Sequence, residues 1–430
     1  MSQVKMKNGS DLVYAIDFGT SNSLLAAASR EKRFDAIALD PFSNDPTIFR
    51  TLLYFPSMAK CYYGSEAIQQ FSQNPGQGRL IRSIKKHLPI RSFVGTWIED
   101  RPANLEDLIG FFLGEMRRRA NLFFDADVTT AVLGRPAKFA PDDQDDKFAE
   151  FRLEQAAKKA GFRDILFCPE PVAAAYEYGA SLTESRTVVV ADFGGGTSDF
   201  TVFRLGKAGK GIEVLAMTGI AMAGDVFDGD VMRNQLVDHF GAGIEYTIPF
   251  GSNVLRMPGH LMEKLCSPAD IALLGKRDVK EFLSSLERWV LKPDDRTKLE
   301  RLTLLIEERL GFPLFESIEK AKRGLSEVPD SNIVFDYPKV EISQPLSRGS
   351  FEAFIREHVN AILKTLDEAL QMGGVSPQDV DLVCCTGGTA RVLLLQEGLR
   401  QRFGHEKLKQ HNHFHSVVQG LSHRAQEWIS

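Results

Sequence analysis

"VYAIDFGTSNSLLAA" (Val13–Ala27) is the stretch on which the fold turns. An apolar run reaches a carboxylate at Asp17, passes through Gly19, Thr20, Ser21 and Asn22, and resumes as a second apolar run. The pattern predicts two strands joined by a tight turn with an acid at its base. Such a turn brings backbone N–H groups together with no side chain between them, so it can cradle phosphate oxygens. "VVVADFGGGTSDFTVF" (Val188–Phe203) repeats the pattern, with Asp192 in the place of Asp17 and Gly194, Gly195, Gly196 and Thr197 in the turn. One Gly–Thr turn alone would read as an ordinary β-turn, because glycine and serine are default turn residues. Two copies imply related halves. Carboxylates repel phosphate unless a cation lies between them, and Mg²⁺, which binds oxygen and bridges carboxylates to phosphates, is the natural one.

Outward from these hairpins, strand-like runs alternate with helical stretches: "TAVLGRP", "DILFCPE", "IEVLAMT" and "DLVCCTGG" join the two repeats. Several are apolar at consecutive positions, as expected of strands covered on both faces. This is an α/β chain. In "APDDQDDKFAEFRLEQAAKKAGF" acids open the helix and Lys158, Lys159 and Gly161 close it, matching the helix dipole. Residues from about 246 to 312 interrupt the second half with Pro, Gly and charged helical sequence and read as an insertion.

Composition agrees with a globular protein: 430 residues, 43% hydrophobic, 25% charged. A net charge of -5 argues against a nucleic-acid partner. No run approaches the roughly 18 apolar residues of a membrane helix, and the N-terminus lacks a secretory pattern. The five cysteines show no C-x-x-C pair, so a reduced, cytoplasmic protein without a membrane partner is expected. A P-loop G-x-x-x-x-G-K-[ST] is absent, as is a G-x-G-x-x-G between strand and helix.

"IDFGTSNS", "DFGGGTSDF", "EPVAAAYEYG", "IEKAKRGLS" and "TGGTARV" occur in the order found in the ATPase domain of the DnaK-type, seventy-kilodalton heat-shock chaperones, which the chain resembles from Val13 to Gly420. Within that family the likeness is nearest to the short YegD-like branch. The resemblance implies a duplicated actin-like, ribonuclease H-like ATPase fold, with two lobes around a nucleotide cleft. Lobe I is expected at 1–185, lobe II at 186–410 with the enlarged insertion, and a C-terminal helix returning to lobe I at 411–430. It implies ATP/ADP and Mg²⁺ as cofactors, slow ATP hydrolysis coupled to lobe opening and closing, a monomer, and protein clients or co-chaperones as partners. The family's β-rich peptide-binding domain has no counterpart in the sequence up to Ser430.

By the same resemblance, Asp17 and Asp192 hold Mg²⁺ through water, while Thr20, Ser21 and Gly194 to Thr197 cradle the β- and γ-phosphates. Asp199 orients the attacking water, and Lys85 in "SIKKHL", with Lys86 as the neighbouring alternative, reaches the γ-phosphate. Glu170 lies near the water and the lobe crossing, and Pro136 resembles a proline relaying nucleotide state. Glu319, Lys322, Arg323 and Ser326 are spaced to share one helix face, with Ile318 and Leu325 on the buried side. The resemblance gives ribose to Glu319 and Lys322, adenine to Arg323 and Ser326, and the opposite wall to Gly387, Gly388 and Arg391. In "AGDVFDGDVM", Gly224 and Asp225 face the nucleotide, and Asp228 is a less favoured contact.

Departures are visible. Phe414 stands where the family has an Asp near Mg²⁺, which puts the hydrolysis rate in doubt. The alternating His411, His413 and His415 read as ordinary polar loop histidines, and "MRRRA" (Met116–Ala120) as a solvated basic helix end. A sugar-type small-molecule kinase and a nucleotide-gated actin-like scaffold are the competing classes. The adenosine motifs favour the chaperone-like reading.

Overall fold

The computed structural model describes residues 12–74, 77–140, 142–179, 184–206, 211–249, 251, 253–410 and 415–430, the side chains of 177–179 and 409–410 excepted. The chain divides into two compact units, one of residues 1–221, 362–390 and 396–430 and one of residues 222–361 and 391–395.

The first unit holds two sheets built in the same strand order. In one, Val13–Phe18 pairs antiparallel with Asn22–Ala28 and parallel with Thr130–Arg135, which pairs parallel with Asp164–Pro169. In the other, Arg186–Phe193 pairs antiparallel with Ser198–Leu205 and parallel with Leu382–Thr386, which pairs parallel with Leu408–Gln410. Ile212–Ile220 extends the second sheet beyond its hairpin, as the short strand Arg33–Phe34 extends the first. The duplication expected from the two hairpin motifs is thus a duplication of whole sheets. All the strand-like runs quoted above form strands.

Each central strand is buried on both faces, which explains its unbroken apolar sequence. Tyr14, Ile16 and Phe18 pack into a core with the helices Leu105–Phe124 and Asp143–Lys159, through Phe112, Leu113 and Leu153 among others. Val13 and Ala15 face a second core, which they share with Val188 and Val190 of the other sheet and with the helices Glu170–Gly179 and His415–Ile429. Those two helices cross at a glycine. A Cβ on Gly420 would lie 1.7 Å from the carbonyl oxygen of Ala173, so no larger residue permits the approach. The acid-led helix starts as its sequence predicts: Asp142 caps it, its side chain accepting from the N–H groups of Gln144 and Asp145.

The second unit is largely helical. Its hairpin, Asp330–Tyr337 with Val340–Ser347, buries Ile333, Phe335, Val340, Ile342 and Leu346 on one face and leaves the alternate positions outward. The helices Gly259–Leu265, Arg277–Leu286 and Pro293–Glu307 lie in the stretch read as an insertion. Among the described residues no helix is long and apolar enough to cross a membrane. None of the five cysteines forms a disulfide.

"MRRRA" differs from its reading as a solvated end. It lies inside the helix Leu105–Phe124, where Arg117 donates to Val128 O and pairs with Asp127, and Arg119 donates to Leu39 O and to Glu115. The helix continues past the arginines, so Arg117 and Arg119 reach carbonyls and an acid of neighbouring segments, while Arg118 stays exposed and pairs with Glu115 on its own helix.

Candidate functional site

The turn of the first hairpin spans Gly19 to Ser21, and the close approach of Asn22 O, 2.1 Å from the place of a Cβ on Gly19, excludes a side chain there. Thr51 braces this turn: its N–H donates to Ser21 O, its hydroxyl donates to Gly19 O at 2.9 Å, and Ser23 Oγ lies 2.8 Å from the same hydroxyl. In the second hairpin Gly194 N–H donates to Thr197 O, and Thr389 Oγ1 donates to Gly194 O at 2.8 Å. Gly19 and Gly194 therefore each have the carbonyl gripped by a threonine from another segment. Backbone N–H groups and the half-buried to exposed Thr20, Ser21, Asn22, Gly195, Gly196 and Thr197 remain at the rims.

At the base of the two turns acids gather. Asp17 and Asp192 end equivalent strands, Asp199 begins the strand after the second turn, and Glu170 opens the helix that follows Asp164–Pro169. Lys85 joins them, its Nζ 2.7 Å from Glu170 Oε1 with both side chains nearly buried. Gly134 leaves room for this pair, a Cβ there meeting Glu170 Cγ at 3.2 Å. Burial, then Glu170 and Asp192, push the Asp17 pKa well above the carboxylate range against the pull of Lys85. Burial and Glu170 push Asp192 up to about 6, although Thr386 Oγ1 donates to its Oδ1 at 2.8 Å. Burial and Asp192 push Asp199 up to about 7, opposed by the Thr197 hydroxyl donating to its Oδ2 at 2.9 Å. Burial alone would lower the Lys85 pKa, but Glu170 and Asp17 outweigh it and hold the ammonium charged.

Carboxylates raised by burial and by neighbouring acids fit a hard divalent cation, whose charge relieves the repulsion that burial intensifies. Among the described residues no three His, Cys, Asp or Glu side chains converge on one metal position.

Gly387 joins the second turn by conformation. Its φ of 84° is left-handed, and a Cβ would lie 2.0 Å from Phe193 O, so only glycine lets Leu382–Thr386 exit beside Asp192. Gly388 follows in a short 3₁₀ turn ending at Arg391.

The remaining predicted residues lie in the second unit. Gly224 and Asp225 start the helix Gly224–Val231, and Glu319, Lys322 and Arg323 lie on the helix Gly311–Gly324. Ile318 and Leu325 are buried as expected. Lys322 Nζ lies 2.6 Å from Asp228 Oδ1 and donates to Gly224 O, joining the two helices; Asp228, buried, is pushed up to about 6 despite Lys322. Arg323 pairs with Glu319 one turn away. The helix stops at Gly324, so Ser326 sits in the following turn, its N–H donating to Arg323 O. Lys322 and Ser326 line a small groove with Arg348, Phe351, Val392 and Leu393, next to Arg391.

Sequence reasoning missed Thr51, Thr386 and Thr389. The latter two flank the glycines of "TGGTARV", a signal available in hindsight, whereas nothing in the sequence ties Thr51 to a turn thirty residues earlier. Pro136 follows Arg135, whose guanidinium bonds Asp146 and Glu150 and covers Phe139. His411, His413 and Phe414 lie outside the described residues; His415 Nε2 meets Thr47 Oγ1 at 2.8 Å.

The family model described as "Hsp70 protein" matches residues 90–249 and 298–426, more than half of the chain. The chaperone protein DnaK of Thermotoga neapolitana is 25% identical over 429 residues, covering 98% of this chain and 60% of its own length. DnaK of Thermosipho melanesiensis is 24% identical over 428 residues with the same shares. The chain therefore spans about 60% of the length of these relatives. These matches are to DnaK-type chaperones and carry the family level; the narrower YegD-like likeness gains no support from them.

Proposed function

The chain belongs to the Hsp70 family, and from that premise we propose that it binds Mg-ATP at the two hairpin turns and hydrolyses it slowly in a chaperone-like cycle. The observation that carries the proposal is the gathering of Asp17, Glu170, Asp192 and Asp199 around Lys85 at the base of two Gly–Thr turns. Mg²⁺, when bound, would supply Lewis-acid polarisation of the phosphates and relieve the acids; Asp17 and Asp192 would hold it through water. The turn N–H groups of Gly19 to Asn22 and Gly194 to Thr197 would donate to phosphate oxygens. Asp199 has one oxygen engaged by Thr197 and a pKa near neutrality, so it suits orienting the attacking water and accepting its proton. Lys85, fixed by Glu170, supplies a charge that offsets that of the phosphoryl group in transfer.

The finer assignments rest on likeness of sequence: Glu319 and Lys322 to ribose, Arg323, Ser326, Gly387, Gly388 and Arg391 to adenine, and Gly224 and Asp225 facing the nucleotide. Coupling of hydrolysis to lobe opening and closing, a monomeric state, a cytoplasmic setting, and clients or co-chaperones as partners belong to the same proposal.

Asp192→Asn tests it. Mg-dependent ATP turnover of the full chain should fall at least about 100-fold while circular dichroism stays that of the folded protein. Turnover equal to the parent's would sink the assignment.

A further inference from the structure

The helix Asp143–Lys159 buries a guanidinium that the proposed chemistry leaves unused. Arg152 is 3% exposed, and a guanidinium stays charged inside a protein, so its donors must find acceptors on the spot. Nε donates to Glu106 Oε1 at 2.5 Å, in the first turn of the helix Leu105–Phe124. Nη1 donates to two main-chain carbonyls, His87 O at 3.2 Å and Ile90 O at 3.3 Å. Its Cζ lies 5.4 Å from the centre of the Phe148 ring. An ion pair alone would be ordinary core chemistry; the two carbonyls set this one apart.

Both carbonyls belong to the segment that carries Lys85. Ile84–His87 is a 3₁₀ turn entered through Ser83, which is left-handed at φ 54°. Beyond it the chain goes on in bonds of the same short span, Leu88 N–H to Lys85 O, Ile90 N–H to His87 O and Phe93 N–H to Ile90 O. Such bonds have poorer geometry than those of an α-helix and do not sustain long runs, so the shape of the segment depends on what grips it. Arg152 grips its carbonyl end, as a cationic side chain caps a helix C-terminus. Glu170 grips the other end, through Lys85 Nζ at 2.7 Å. Arg91 adds an outer hold, bonding Asp145 and Gln144 O at the start of the helix Asp143–Lys159, but that pair is exposed and therefore weak.

We propose that Arg152 is a positioning residue of the site: by capping His87 O and Ile90 O it fixes the depth at which Lys85 meets Glu170, and Glu106 holds the guanidinium in line for that task. The inference rests on the Mg-ATP reading above. The hydrogen bonds of Arg152 go to the segment and to Glu106, so it acts through Lys85. A displacement of about 1 Å in a reacting constellation costs on the order of 100-fold in rate, so even a slight slackening of the segment is measurable.

The test compares single-turnover hydrolysis of Mg-ATP, calorimetric Mg-ATP affinity and thermal melting without nucleotide, all on the full chain. Arg152→Lys keeps a cation for Glu106 but offers one nitrogen where arginine uses two. Its turnover should fall about 10-fold or more, with Mg-ATP affinity within about 3-fold of the parent's. Leu399→Ala, which opens a cavity at a buried position of the helix Leu393–Phe403, is the control for lost stability. Its melting temperature should drop, while turnover below the melting range stays within about 2-fold. If Arg152→Lys is unfolded at the assay temperature, Glu106→Gln carries the test, since it loosens the guanidinium without removing it. Its turnover should fall about 3-fold or more with affinity again held. Turnover equal to the parent's in the folded variant, a loss carried by affinity alone, or an equal loss of turnover in Leu399→Ala overturns the assignment and leaves the Mg-ATP reading intact. A parent protein that hydrolyses no Mg-ATP brings down both.

Discussion

Asp199 lies between the Thr197 hydroxyl and the backbone of Gly219, where a Cβ would come 2.4 Å from its Oδ1, and burial with Asp192 pushes it up to about 7. An unfolded aspartate titrates near 3.8, so between that value and about 7 the folded chain keeps a proton that the unfolded chain has lost. The stability contributed by that proton is full at low pH and is lost as pH rises through about 7. Asp199→Asn removes the titration. Measured by thermal melting without nucleotide, the variant should gain on the parent as pH rises across this window and hold a constant lead above it. A lead independent of pH would contradict the raised carboxylate. Asp17, Asp192 and Asp199 are legible in the sequence because each is an acid set against an apolar strand and a glycine turn. Thr51, Thr386 and Thr389 are not, because a hydroxyl finds its acceptor only when distant strands pair.

At the level of elements, apolar runs gave away every strand of the paired hairpins, since a strand covered on both faces has no polar face to confuse its reading. Helix ends were harder. Gly311–Gly324 stops short of Ser326 because the chain must turn toward the strand Asp330–Tyr337, and Gly324 packs against Ser331 of that strand, a contact no local pattern encodes. The crossing of Glu170–Gly179 with His415–Ile429 was equally hidden, although it fixes where Glu170 stands. Gly420→Ala forces a methyl into Ala173 O and should destabilise the chain by about 1–3 kcal/mol or more. ATP turnover should fall with it, since the helix headed by Glu170 must shift. Denaturant titration and a turnover assay check the pair of effects; a variant as stable as the parent would place the helices further apart than described.

For the whole molecule, the duplicated architecture and the family were legible because five ordered motifs span the chain, while the packing of the second unit was not. Its helices between 246 and 312 carry Pro, Gly and charge without a repeated pattern, and much of this stretch lies between the two segments matched to the family. A ligand that binds only the folded chain stabilises it by mass action, about 2.7 kcal/mol at a hundredfold excess over Kd. Mg-ADP at that excess should therefore raise the melting temperature, and a chelator added with ADP should remove most of the rise. An equal rise with chelator present would show that the acids do not serve a cation.

The matched strand order of the two sheets is a topological pseudo-symmetry, and it has an electrostatic cost built in. Copying one hairpin copies its acid, so Asp17 and Asp192 occupy equivalent places, and the charge of Asp192 helps to push the Asp17 pKa up. The demand for a counter-charge thus belongs to the architecture before it belongs to any one residue. Lys85, Glu170 and Asp199 have no such twins among the motifs of the two halves. They break the symmetry: Lys85 and Glu170 come from the first half of the chain's repeat and Asp199 from the second.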